Sequence, residues 1–192
     1  MASATTKGTQ GALAFKLPKT GVSYLFTTVW TVKPGHQKQM REAILKFAAI
    51  QDPARVKRVF IPTGVHAANL TLFDNDTRFY AAFSFDTEWD AYMADIFRLS
   101  NNGSFHYDLF VHLEGGPTMS QKEWTVDDFK SIFLAHQAET LAYLVTVPDI
   151  TTGETVKAQR LMKAFQQVLD NPKAAEALQH PALKPLLDEA AA

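Results

Sequence analysis

The chain contains no cysteine, which excludes disulfides, thiolate catalysis and cysteine-ligated metals and fits a reducing compartment. It has no apolar run approaching ~18 residues, so no transmembrane helix and no membrane partner is expected. The first twenty residues hold only Ala12-Leu13-Ala14-Phe15 as an apolar patch, too short for a signal-peptide core, and a cytoplasmic location is expected. Neither sign of charge is in excess. Nineteen basic residues against 20 acidic ones give a net charge of -1, without the basic surplus of a nucleic-acid protein. Phosphate loops, GxSxG elbows, dinucleotide fingerprints and EF-hand patterns are missing, which sets aside nucleotide-dependent and serine-hydrolase chemistry.

What the 192 residues do contain is apolar and aromatic: 46% are hydrophobic and 14 are Phe. That length suits one domain, or one domain with an extension, and is ample for a core. The stretch from Gly64 to Phe97 organises the rest. Val65 to Leu72 and Arg78 to Phe85 are two runs with partial period-2 character, separated by Asp74-Asn75-Asp76, which tolerate turn backbone. A helix is expected from Asp86-Thr87, where Thr87-x-x-Asp90 has capping-box spacing. Trp89, Tyr92, Met93, Ile96 and Phe97 then form one apolar stripe.

Upstream, residues 1–20 read as a loose arm. Ser23 to Val32 carries apolar residues on both faces and reads as a central strand. Lys33-Pro34-Gly35 breaks it. A helix is expected from about His36 to Asp52, stopped by Pro53, with Met40, Ala43, Ile44, Phe47 and Ala48 inward and Glu42 paired with Lys46 outside. Tyr107 to Glu114 is expected to be the next strand. Strand, helix, strand, strand, helix, strand is the ferredoxin-like βαββαβ order, an α+β fold with an antiparallel sheet and two helices on one face. The unit is placed at residues 21–117. A C-terminal extension, 118–192, is expected to pack on the same domain. It would hold a helix capped by Thr125, a fifth strand over Thr140 to Val147, a helix through Leu169, and short helices after Asn171-Pro172.

This order, with Pro34-Gly35 before an amphipathic helix and an aromatic-rich helix after the hairpin, resembles the dimeric α/β-barrel superfamily. More narrowly, Val65-His66-Ala67-Ala68, Phe79 to Asp86 with Trp89-Asp90-Ala91-Tyr92, and His112-Leu113-Glu114-Gly115-Gly116-Pro117 resemble a group of bacterial proteins of that fold. In that group Cys usually follows the His of the last motif and an aromatic precedes the Pro; Leu113 and Gly116 stand there in this chain. The resemblance covers about residues 22 to 170. It implies a homodimer packed through open sheet faces and an apolar pocket, with the C-terminal extension as the rival cover of that face.

Three histidines are candidates for that pocket. His66 falls on the second strand, with Ala68, Leu70 and Leu72; His112 falls on the fourth, where Glu114 shares its face. A carboxylate beside an imidazole orients it, so His66, His112 and Glu114 are the expected catalytic residues. Each histidine alone reads first as a core or rim residue bonded to a backbone carbonyl. Without HxH or HExxH spacing, no metal site is expected. Several families of the superfamily bind haem through a helix histidine, and His136, on the apolar stripe of its helix, is the analogous position. Haem and no cofactor at all stand as equal alternatives. Asn69 and Tyr80 are polar hairpin positions suited to a substrate oxygen. Arg55, Lys57 and Arg58 are suited to a carboxylate or propionate, or to a solvated loop.

The expected function is an enzyme acting on a small apolar or aromatic molecule, an oxidoreductase either cofactor-free or haem-dependent. The alternatives are a non-catalytic carrier of a hydrophobic ligand or haem, and a lyase or cyclase moving a proton with a pocket histidine.

Overall fold

A computed structural model describes residues 15–49 and 52–191 of the chain, with the side chain of Arg55 outside that description. Of the expected N-terminal arm, residues 1–14 lie outside the described residues. Its remainder is not loose: Leu17 is buried, and β1 (Lys19–Thr20) pairs with β2 (Ser23–Thr31). The chain divides into two compact units, 1–152 and 153–192. Residues 118–152, expected in the extension, belong with the sheet.

In the first unit β2 is followed by α1 (Gln37–Ala49), a single turn α2 (Pro53–Arg55) that continues as a π turn (Val56–Phe60), β3 (Val65–Phe73), β4 (Arg78–Phe85) and α3 (Trp89–Leu99). The four-stranded sheet is antiparallel throughout, in the order β1-β2-β4-β3, so β4 inserts between β2 and β3 as in a ferredoxin-like unit. The hairpin turns on Asp74, Asn75 and Asp76, all with positive φ (51°, 53° and 64°), which these short polar side chains tolerate. Arg41 of α1 clamps that turn, donating from Nε and Nη2 to Asp76 at 2.8 and 2.6 Å.

Phe26, Thr28 and Trp30 of β2, Val32 just past its end, and Phe79, Ala81, Phe83 and Phe85 of β4 are buried on one face, by strict alternation. The stripe of α3 packs on them as expected, with Trp89 5.7 Å from Phe26 between ring centroids and Phe85 stacked on Tyr92 at 4.0 Å. The capping box at Thr87 does not form: Glu88 is the N-cap, without a side-chain cap bond.

Two expected strands are absent. Residues Ser104–Phe110 form a helix, α4, and Leu113 reaches the sheet only through a single bridge to Val32. The reason is periodicity. His106, Leu109, Phe110 and Leu113 are all buried, and their i, i+3, i+4, i+7 spacing is helical. Leu113 therefore marks the place of a fourth ferredoxin-like strand, beside β2, without building one. The second departure lies over Thr140 to Val147, which runs irregularly with Leu141 and Leu144 about nine-tenths exposed. Before it, α5 (Val126–Ala135) carries the full capping box of Thr125 and Asp128, and the chain leaves it by bridging Gln137 to Thr28. Lengths of β2 edge left by β1 and Leu113 are thus already taken when Thr140 is reached. The expected Glu42–Lys46 pair is replaced by Lys38–Glu42 and Lys46–Asp108.

The helix expected through Leu169 is α6 (Thr152–Leu169). In the second unit, Asn171 caps a 3-10 turn leading to α7 (Ala175–Leu178), and His180 caps the turn that leads to α8 (Lys184–Ala191). Among the described residues, no helix is long and apolar enough to cross a membrane.

Candidate functional site

An apolar cleft of about 460 Å³ opens at the free edge of the sheet, between β3, the end of α1 and the π turn. Small side chains make the space: Ala48 on the helix and Ala67 and Ala68 on the strand stop short of one another, while Phe47, Val56, Phe60 and Leu70 wall it. Pro53 restarts the backbone after α1. The following turn closes with a bond from Ile61 N–H to Val56 O at 3.1 Å, an i→i+5 spacing. Such single π turns are frequent beside functional sites.

Among the described residues, one polar side chain lines this cleft. The register passes from Val65 opposite Phe85 to Ala67 opposite Ser84, which leaves His66 as a bulge residue without a partner. A bulge of this kind re-aims a side chain at a sheet edge. The freed imidazole lines the cleft and hydrogen-bonds through Nε2 to Oδ1 of Asp86, the residue that follows β4. Asp86 is held in turn. Its Oδ2 accepts the Thr152 N–H at 2.8 Å, and its own N–H donates to Gly64 O at 3.0 Å. A Cβ on Gly64 would sit 3.2 Å from Oδ2, in a backbone of φ +69° that side chains rarely adopt, so glycine permits the approach. Side-chain exposure is 24% for His66 and 9% for Asp86, so the pair sits at the mouth of the cleft with the carboxylate inward.

Asp86 was missed as a site residue because it reads as the start of a helix. A signal existed: the turn at Asp74 to Asp76 pairs the end of β4 with the start of β3, bringing Asp86 beside His66.

His112 does not join His66. It lies in the turn after α4, in a separate groove of about 350 Å³ with Gln39, Glu42, Lys46 and Asp108. Its Nδ1 is 3.1 Å from Nδ1 of His36, one ring donating to the other. Burial lowers the pKa of His112, the neighbouring His36 and Lys33 push the same way, and Asp108 opposes them. The acid beside His112 is therefore Asp108. Glu114 is exposed in a turn, and its backbone N–H donates to Thr31 O at 2.9 Å. With no strand over 107–114, the shared face expected for His112 and Glu114 does not exist.

His136 caps the end of α5. Its Nδ1 donates to Ile132 O at 3.0 Å and its ring stacks on Trp30, with 3.7 Å between centroids. A Cβ built on Gly115 would lie 3.0 Å from Nε2. Nδ1 is thus engaged and one face of the ring is covered by Trp30. Asn69 and Tyr80 alternate with cleft and core residues, so they point to the other face of the sheet, where Asn69 Oδ1 accepts from Thr71 Oγ1 at 2.7 Å. Lys57 and Arg58 are exposed on the π turn. Among the described residues, no three His, Asp or Glu side chains gather as a metal site would require.

No family model and no curated protein matches the chain. Among solved structures it is similar to a provisionally named antibiotic biosynthesis monooxygenase from Bordetella bronchiseptica. The two are 14% identical, with a TM-score of 0.37, over 50% of this chain and 90% of that one. So distant a likeness carries no argument about activity. The sheet order of the molecule itself, with β4 between β2 and β3, is that of an α+β, ferredoxin-like fold.

Proposed function

We propose that the cleft beside β3 binds a small apolar or aromatic molecule and that the protein is an enzyme acting on it, with His66 moving a proton. The observation that supports this reading most is the His66–Asp86 pair at the mouth of an otherwise apolar space. One oriented imidazole among hydrophobic walls is the composition of a small-molecule site, and orientation by a carboxylate is what general acid–base chemistry asks of a histidine. An oxidoreductase is the reading carried from the sequence: a substrate that has lost a proton is richer in electrons and more readily oxidised, with dioxygen as the oxidant. Haem has no place in this version.

A homodimer through the open sheet face is part of the proposal. That face carries Leu25, Val29, Tyr80 and the partly exposed Phe73.

The test uses naphthalene as an apolar probe and 2-naphthol as a reactive one. Calorimetry should show naphthalene bound by the native protein and excluded by Ala68→Trp, which fills the cleft from a position outside the core. Dioxygen uptake with 2-naphthol, lost in His66→Ala, marks an enzyme. Binding without turnover of any kind marks a carrier. Failure to bind either compound overturns the reading.

A further inference from the structure

We infer that His66 accepts the ligand's proton at Nδ1, that Asp86 is the positioning residue reserving that atom, and that the ligand accordingly carries a weakly acidic hydroxyl, phenolic or enolic. The inference rests on the cleft being the ligand site.

An ionised carboxylate only accepts hydrogen bonds, whereas a neutral imidazole has one N–H and one bare nitrogen. Because Oδ1 of Asp86 faces Nε2, the proton resides on Nε2 and the lone pair on Nδ1. No hydrogen bond to Nδ1 is formed among the described residues, so it is free to act. The carboxylate cannot turn away easily. The Thr152 N–H holds Oδ2, and Gly64 is packed against the side chain.

The step is a simple transfer. The ligand's O–H bond breaks, its electron pair stays on oxygen, and a new N–H forms at Nδ1. The resulting imidazolium lies between the Asp86 carboxylate and the new oxyanion. Its pairing with Asp86 favours transfer, since hydrogen bonds with an ionised partner are about twice as strong as neutral ones. The acid strength of the ligand follows from the base. A phenol is acidic enough to pass its proton to a nitrogen base, because its anion is delocalised into the ring. An aliphatic hydroxyl is a far weaker acid than a phenol and lies out of reach of such a base. Hydroxyl-bearing aromatics and enols therefore suit this cleft, and simple alcohols do not.

The test is 4-nitrophenol, which turns yellow on ionisation, added to the full-length protein near neutral pH, where the free phenol still holds part of its protons. Binding to the native protein should raise the phenolate absorbance. His66→Ala should abolish that signal while calorimetry still detects binding, and Asp86→Asn should reduce it about tenfold, the order separating charge-assisted from neutral bonds. Nitrogen-15 NMR of the ligand-free native protein should show His66 as the Nε2–H tautomer, a readout that stands even if Asp86→Asn fails to fold. A proton found on Nδ1, or 4-nitrophenol bound without colour, overturns the inference. If naphthalene is bound and the colour stays unchanged, only this inference falls. Loss of naphthalene binding removes the cleft reading beneath it.

Discussion

Replacing Trp89 with alanine should destabilise the first unit by ~3–5 kcal/mol, the range for removing a buried large aromatic. The side chain is 7% exposed, and it lies in the core between α3 and the sheet, with Phe26 5.7 Å away. The indole adds a discriminating feature. Its Nε1 is buried without a hydrogen-bond partner among the described residues, so part of the packing gain is offset by a desolvation cost of ~1–3 kcal/mol. Trp89→Phe loses some apolar area but also removes that unpaired donor. It should therefore stay within about 1 kcal/mol of the native protein, far below the cost of alanine. Urea unfolding followed by tryptophan fluorescence is the suitable assay, because the other two tryptophans, Trp30 and Trp124, are both buried in the same unit. Transition slopes should be unchanged, since the surface exposed on unfolding is nearly the same. A loss below ~1 kcal/mol in the alanine variant would mean that α3 does not pack as described. Equal losses in both variants would mean that the indole N–H is satisfied.

Thr125→Ala should cost ~1 kcal/mol by opening the capping box that begins α5, measured by the same unfolding curves. Acid should weaken the protein through His112. Its pKa is lowered on folding, so the contribution is intact above the unfolded value of about 6.5 and is lost as pH falls through the folded value. His112→Gln should flatten the stability profile below pH ~6.5, and an unchanged slope would place the acid sensitivity elsewhere. Light scattering at micromolar concentration should report a dimer that Phe73→Lys weakens, whereas a monomeric native protein would refute the proposed open-face dimer.

How much of this was legible in the sequence follows the physics of each segment. The hairpin was readable because Asp74, Asn75 and Asp76 are residues that accept left-handed backbone, and α3 because its apolar stripe is long and regular. The segment Tyr107 to Glu114 misled because a seven-residue helix shows too few turns for its period to stand out from a strand. Thr140 to Val147 has strong strand propensity, but propensity cannot supply a ladder where the neighbouring edge is occupied. His66, read from the sequence as a pocket residue, does line the cleft, but the expected partnership with His112 and Glu114 depended on a fourth strand that does not form. Its acid was invisible as such because Asp86 precedes a helix, where an Asp ordinarily serves the helix start. Only the bulge at His66, a feature of three-dimensional register, aims the imidazole at that carboxylate.

The most direct test of the account is where a small aromatic ligand lands. Titration of 2-naphthol into the nitrogen-15-labelled protein should shift the amide signals of Ile44, Val56, Phe60, Ala68 and Leu70 together, with the ring nitrogens of His66 following at the same ligand concentrations. Shifts confined to Leu25, Val29 and Tyr80 on the opposite face of the sheet, or to the groove around His112, would contradict it.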